Sequence, residues 1–298
     1  MAVALVKKVN AEIISCDSMQ IYLKLDILSS KPSVTLRKKV PHHLIDILPP
    51  TKEYNVSKYR KDSLKIIKSL IKKGKVPLFV GGTGLYVNAL VDGIFNFKSE
   101  DETLRLRLYR IAKNKGSTYL HQRLKRVDPE AAEKIHPNDT KRIVRALEVF
   151  EVTGKPISHL QKQRHGLEQD YEVKIFCLNM ARENLYKRIN ERVDKMFRQG
   201  LVNEVKGLLK LKLSKTASFA IGIRELRGYL EGLYGIDEAR QLMQKNTRSY
   251  AKRQLTWFRK DKRIKWINIK NKDLPGVIAE RICSLVPRLA EQGINSRK

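Results

Sequence analysis

An apolar run, Glu12-Ile13-Ile14-Ser15-Cys16, stops abruptly at an acid, a hydroxyl and an amide in Asp17-Ser18-Met19-Gln20-Ile21-Tyr22. In open α/β sheets ligands collect where strands end, so a carboxylate delivered by a short Ile-Ile strand is placed to act as a base or to assist a metal. Asp17 is therefore the first candidate for chemistry. A second strand-like run, Val76-Pro77-Leu78-Phe79-Val80, enters three glycines around one threonine, Gly81-Gly82-Thr83-Gly84, and then a helical pattern. Glycines there let the backbone approach an anion, and the free N–H groups of the next helix start favour it. The turn is a candidate pyrophosphate rim; such turns also serve packing alone, and both readings stay open. The Thr83 hydroxyl is likewise either a ligand for such an anion or a helix cap.

With 298 residues the chain can bury a substantial core, most simply as one α/β body with an inserted subdomain. Short apolar strands alternate with helical patterns up to the early nineties of the numbering, as in a parallel α/β body. The pattern loosens around residues 92–98, and from 100 to about 164 charge and helical periodicity dominate, with Leu104, Leu108 and Ile111 at helix spacing. Tyr171 to Met180 reads as a strand returning to the body, and a long amphipathic helix is expected from about Asn184 to Lys210. Its stripe of Leu185, Ile189, Val193, Met196, Val205 and Leu209 reads as core. The expected division is residues 1–98 and 169–298 for the body and 99–168 for the insertion.

Lysine and arginine number 61 against 31 acids, a formal charge of +30. That excess favours a polyanionic partner, with RNA the natural candidate, although a lysine-rich proteome is an alternative source. Cys16, Cys177 and Cys283 stand far apart, without the spacing of a disulfide framework or a structural zinc site. His42 and His43 lack a nearby carboxylate or cysteine at metal spacing, so packing and hydrogen-bonding roles are expected. No run has the length of a membrane span, and the first basic residues, Lys7 and Lys8, follow the apolar run, opposite to a signal peptide. A cytoplasmic protein with no membrane partner is the expectation.

Six motifs then occur in order: Asp17-Ser18-Met19-Gln20-Ile21-Tyr22, Pro41-His42-His43-Leu44-Ile45-Asp46, Gly81-Gly82-Thr83-Gly84-Leu85-Tyr86, Ile135-His136-Pro137-Asn138-Asp139, Arg145-Ala146-Leu147-Glu148-Val149 and Tyr250-Ala251-Lys252-Arg253-Gln254-Leu255-Thr256-Trp257-Phe258-Arg259. In this the chain resembles the bacterial tRNA dimethylallyltransferases, from its first residues to about Trp266. The resemblance implies an α/β fold with a P-loop-kinase-like, nucleotide-binding (ATP-binding) type of parallel sheet flanked by helices, carrying a mostly helical inserted subdomain that grips the anticodon stem-loop. It implies transfer of the dimethylallyl group of dimethylallyl diphosphate to N6 of an adenosine next to the anticodon, in tRNAs reading codons that begin with U, with Mg2+ carried on the diphosphate and no metal ligand assigned to the protein. A monomer is expected.

An exocyclic amine is a poor nucleophile, so a base such as Asp17 helps, and the departing diphosphate needs a cation. Arg224, in Phe219-Ala220-Ile221-Gly222-Ile223-Arg224, matches the family's Gly-Tyr-Arg/Lys position and is the expected leaving-group cation, its other reading being a solvated helix-start arginine. By the same resemblance Asp17, Ser18, Met19, Gln20, Thr83 and the Phe219 to Arg224 segment contact the target nucleotide, and Gly81, Gly82, Thr83 and Gly84 the diphosphate. Arg105, by family position, and Lys141-Arg142-Ile143-Val144-Arg145 are expected to hold the anticodon arm, the other reading of such a helical basic face being that it is only solvated. Tyr250, Trp257 and Phe258, interleaved with cations, read either as an RNA-facing helix or as anchors to the body.

The sequence departs from the family twice. Members open with a strand and a Gly-x-x-x-x-Gly-Lys-Ser/Thr phosphate loop; here Met1 to Asn10 read as the end of the helix after that loop, and a truncated or misassigned start is expected. Where the family carries Gly-Met-Asp-Ile-Gly-Thr-Ala-Lys-Pro, this chain has Lys24-Leu25-Asp26-Ile27-Leu28-Ser29-Ser30-Lys31-Pro32. Leucine at 28 cannot enter positive φ cheaply, so the loop is expected to take a different local path or to bear strain. The alternatives carried beside the transferase are an inactive relative that binds tRNA and an isopentenyltransferase acting on free adenine nucleotides.

Overall fold

The computed structural model describes residues 1–95 and 102–286. Its chain divides into two compact units, Met1–Ala89 with Tyr171–Lys298, and Leu90–Asp170. The boundary expected between residues 98 and 99 lies outside the described residues.

In the first unit the Ile-Ile run forms β1 (Ala11–Cys16), buried along its whole length. It lies between β2 (His42–His43) and β3 (Val76–Gly81), parallel to both. The register pairs Ile13 with Leu78 and Cys16 with Gly81, so Asp17 and the glycine turn leave the sheet at the same end. A second parallel pair joins β4 (Ile175–Asn179) to β5 (Ile264–Asn268). The expected single sheet is thus two short ones, and β4 begins later than the Tyr171 start expected for it. Both sheets share one apolar cluster: Val76, Leu78, Phe176, Leu178 and Ile267 pack with residues of the Ala2–Val9 and Pro275–Ser284 helices. Every residue of β4 is only half-buried, and β3 is half-buried as far as Val80.

The helix Val56–Lys72 starts where the Asn55 side chain accepts from the Lys58 amide at 2.9 Å. It buries Tyr59, whose ring stacks on Tyr86 at 3.9 Å between centroids and whose hydroxyl donates to the Ser15 carbonyl at 3.2 Å. This aromatic pair supports the end of β1 from beneath. The expected helix from Asn184 to Lys210 is two, Arg182–Arg198 and Leu201–Leu209. Gly200, at φ 94°, separates them in a conformation that an L side chain enters only with strain.

The second unit is helical among its described residues, with helices Glu102–Lys115, Ser117–Val127, Pro129–Lys134, Thr140–Thr153 and Ile157–Lys162. Leu108, Leu120, Leu124, Ile143 and Leu147 are buried together in its core. Asp128 caps the helix that Pro129 opens, accepting from the Ala131 amide at 2.9 Å, and its other oxygen accepts from the Ser158 amide at 2.9 Å.

Candidate active site at the strand ends

Asp17 follows β1 directly, and its Oδ1 accepts from the Met19 amide at 2.8 Å and the Gln20 amide at 3.3 Å. Burial raises the Asp17 pKa above the ordinary carboxylate value, against the lowering effect of those two amides and of the Arg192 charge. The result is a fixed carboxylate of increased basicity, with Oδ2 taking no part in the turn.

Thr83 sits beside it through backbone pairing. Its amide donates to the Cys16 carbonyl at 3.1 Å, and its Oγ1 accepts from the Ser18 amide at 3.1 Å. The hydroxyl so fixed retains its own proton to donate. Tyr250, on the helix Ile236–Phe258, neighbours the same corner, near enough for the Gln254 and Thr83 side chains and the Asp17 charge to act on its hydroxyl. Burial first, then the Asp17 charge, raise its pKa.

The glycine turn is tightly packed. A Cβ on Gly82 would lie 2.1 Å from the Gln254 amide nitrogen, which itself donates to the Gly82 carbonyl at 2.8 Å. A Cβ on Gly84 would lie 2.5 Å from the Trp257 indole, and one on Gly81 would meet the Cys16 backbone. Trp257 and Gln254 therefore anchor their helix to the body, which answers one of the two readings given to these aromatics.

Arg192, which sequence reasoning passed over, is a cation of this site. It is exposed on the Arg182–Arg198 helix, its guanidinium pKa lowered by partial desolvation and raised by the Asp17 charge. Among the described residues it makes no hydrogen bond or ion pair, so its donors are free for an anion. A signal was present in the sequence: Arg192 falls three residues after Ile189 and four before Met196, inside the apolar stripe. Arg224 is exposed on the second residue of the helix Ile223–Leu230, and its charge acts on Tyr234.

The other expected contact residues are dispersed in character. Ser18, Met19 and Gln20 are half-buried beside Asp17. The Gln20 amide is shared between the Ser15 hydroxyl, at 3.0 Å, and the Ser29 carbonyl, at 3.3 Å. In the 219–224 turn Phe219 is 74% exposed, Ala220, Gly222 and Ile223 are buried and Ile221 is half-buried. In the second unit Ile143 and Val144 point into the core, while Lys141 and Arg142 are exposed and Arg142 pairs with Asp139 at 3.2 Å. Arg105 and Arg145 both bond the fully buried Glu148, at 2.7 and 2.9 Å. A phosphate reaching either must compete with that carboxylate.

The two histidines hold to hydrogen bonding. His42 Nδ1 contacts the Val40 carbonyl at 2.6 Å, and His43 Nε2 contacts Glu12 at 2.7 Å. Among the described residues no three His, Cys, Asp or Glu side chains gather as a metal cage, and no helix is long and apolar enough to cross a membrane.

The family described as IPP transferase matches residues 20–261. The chain is 46% identical to a tRNA dimethylallyltransferase of Carboxydothermus hydrogenoformans over 298 residues, covering 99% of this chain and 94% of the relative. It is 46% identical to that of Geobacter sulfurreducens over 269 residues, covering 90% and 86%. Among solved structures it is similar to a tRNA isopentenylpyrophosphate transferase from Bacillus halodurans, with a TM-score of 0.70 and 37% identity, covering 97% of this chain and 92% of that one.

Proposed function

This chain belongs to the IPP transferase family, and we propose that it transfers the dimethylallyl group of dimethylallyl diphosphate to N6 of the adenosine next to the anticodon of tRNAs reading codons that begin with U, in the cytoplasm. The observation that carries the reading is a basic carboxylate and a fixed hydroxyl held in one turn at the strand ends, Asp17 and Thr83, with the Arg192 charge acting on Asp17.

In the proposed step the adenine N6 lone pair attacks the allylic carbon. The new carbon–nitrogen bond forms as the carbon–oxygen bond to the diphosphate breaks, and the N6 proton passes to Asp17. Burial makes Asp17 a better proton acceptor, and the Met19 and Gln20 amides hold it in place. Arg192 meets the charge that grows on the leaving diphosphate, replacing Arg224 in that role, because its field reaches Asp17 and its donors are free. The Thr83 hydroxyl donates to a diphosphate oxygen or to the base. Magnesium does not fit a cage of protein carboxylates here, since Asp17 Oδ1 is engaged by two amides; it would arrive on the diphosphate.

The test is a transfer assay with an anticodon stem-loop and with free AMP. Prenylation of the stem-loop, with Asp17→Asn slowing it by about 10²–10⁴-fold, supports the reading. Prenylation of AMP but not RNA, or full activity in Asp17→Asn, overturns it.

A further inference from the structure

Glu204 projects from the helix Leu201–Leu209, which the buried Leu201 and Val205 fix to the body. An acid on a helix flank is ordinarily solvated, yet this carboxylate accepts hydrogen bonds from three consecutive backbone amides. Oε2 takes those of Asp26, at 3.0 Å, and Ile27, at 2.8 Å, and Oε1 takes that of Leu28, at 2.8 Å. Successive amides turned toward one point form an anion nest, and here the anion comes from 176 to 178 residues away. The loop is bracketed by two non-glycine residues in the left-handed region, Lys24 at φ 66° and Ser30 at φ 49°. A loop without an external hold relaxes from such a conformation.

The clamped loop reaches both functional turns. The Ser29 carbonyl accepts from the Gln20 side chain at 3.3 Å, and the Gln20 amide donates to Asp17. Leu28, 7% exposed, packs on Gly222 so closely that a Cβ there would lie 2.5 Å from Leu28 Cδ1. Gly222 opens the helix that carries Arg224, and its amide donates to Glu225 at 2.7 Å.

We propose that Glu204 is a positioning residue: by filling the nest of the 26–28 amides it sets, through one loop, both the Asp17–Gln20 turn and the Gly222–Arg224 turn. Its effect on catalysis rests on the transferase reading; its structural part does not. Glu204→Gln keeps the size of the side chain but offers the nest one acceptor oxygen and an NH2 group that faces other donors. Hydrogen exchange in this variant, folded as judged by its melt, is expected to quicken by about tenfold or more in peptides covering 17–31 and 219–224 together. In the transfer assay kcat for the stem-loop is expected to fall by about tenfold, and formate added to Glu204→Ala is expected to restore it by refilling the nest. Faster exchange confined to residues 26–28, or formate without effect on a folded Glu204→Ala, overturns the proposal. If the wild-type chain does not prenylate RNA at all, the transferase reading fails, and the exchange result alone decides the role of Glu204.

Discussion

At the scale of single residues, the account turns on Asp17 and Arg192. Because burial raises the Asp17 pKa, its basic form is lost at a higher pH than in a free carboxylate. A profile of kcat/KM against pH is therefore expected to fall in acid with a limb above the ordinary aspartate value of about 3.9, and Asp17→Asn removes that limb. Arg192→Ala is expected to lower kcat/KM by about 10²–10³-fold, the scale of losing one group that stabilises developing charge. A smaller effect than that of Arg224→Ala returns the leaving-group role to Arg224. Asp17 was legible in the sequence because a strand cannot end in an isolated acid without exposing it to whatever collects at strand ends. Arg192 was not, because its spacing belongs to the apolar stripe and only the fold brings its charge within range of a carboxylate 175 positions earlier. Arg105 and Arg145 are expected to grip the anticodon arm, and the buried Glu148 that binds both is out of sight in the sequence, 43 residues from Arg105.

At the scale of elements, periodicity found the helices and short apolar runs found the strands, but junctions needed backbone conformation. Gly200 interrupts an apolar stripe that continues across it, so the helix break left little trace in the pattern. The 24–31 loop takes its left-handed residues at Lys24 and Ser30, and Leu28 is not among the positive-φ residues. β1 is tied to its neighbours by Glu12, which is buried and bonded to His43 at 2.7 Å and to Lys75. Burial pushes its pKa up, but the Lys75 and His43 bonds outweigh this and hold it below the ordinary value. A folded-state pKa below the unfolded one gives stability that is present above the unfolded value and lost as pH falls through the folded one. Glu12→Gln is therefore expected to cost about 1–3 kcal/mol at neutral pH, with the difference from wild type shrinking in acid, as read from denaturant melts at several pH values. Among the described residues β3 and β4 each bond a strand on one side only, and their apolar residues are half-exposed. Open edges with bare apolar surface template association, so light scattering of this chain is expected to rise with concentration.

For the whole molecule, the charge of +30 is the largest single fact of composition, and it alone did not separate RNA from any other polyanion. The ordered motifs did, because they join that charge to a site chemistry. Binding of an anticodon stem-loop is expected to weaken steeply with salt, log Kd rising linearly with log salt with a slope of about 0.7 for each phosphate neutralised along single-stranded RNA. A titration at several salt concentrations gives that number. The most direct test of the central claim is the mass of an anticodon stem-loop after incubation with this chain, dimethylallyl diphosphate and magnesium. The predicted result is RNA heavier by one C5H8 unit, located on N6 of the adenosine next to the anticodon and formed about 10²–10⁴-fold more slowly with Asp17→Asn. Stem-loop that is bound by the protein but unchanged in mass would contradict it and leave a tRNA-binding protein without transferase activity.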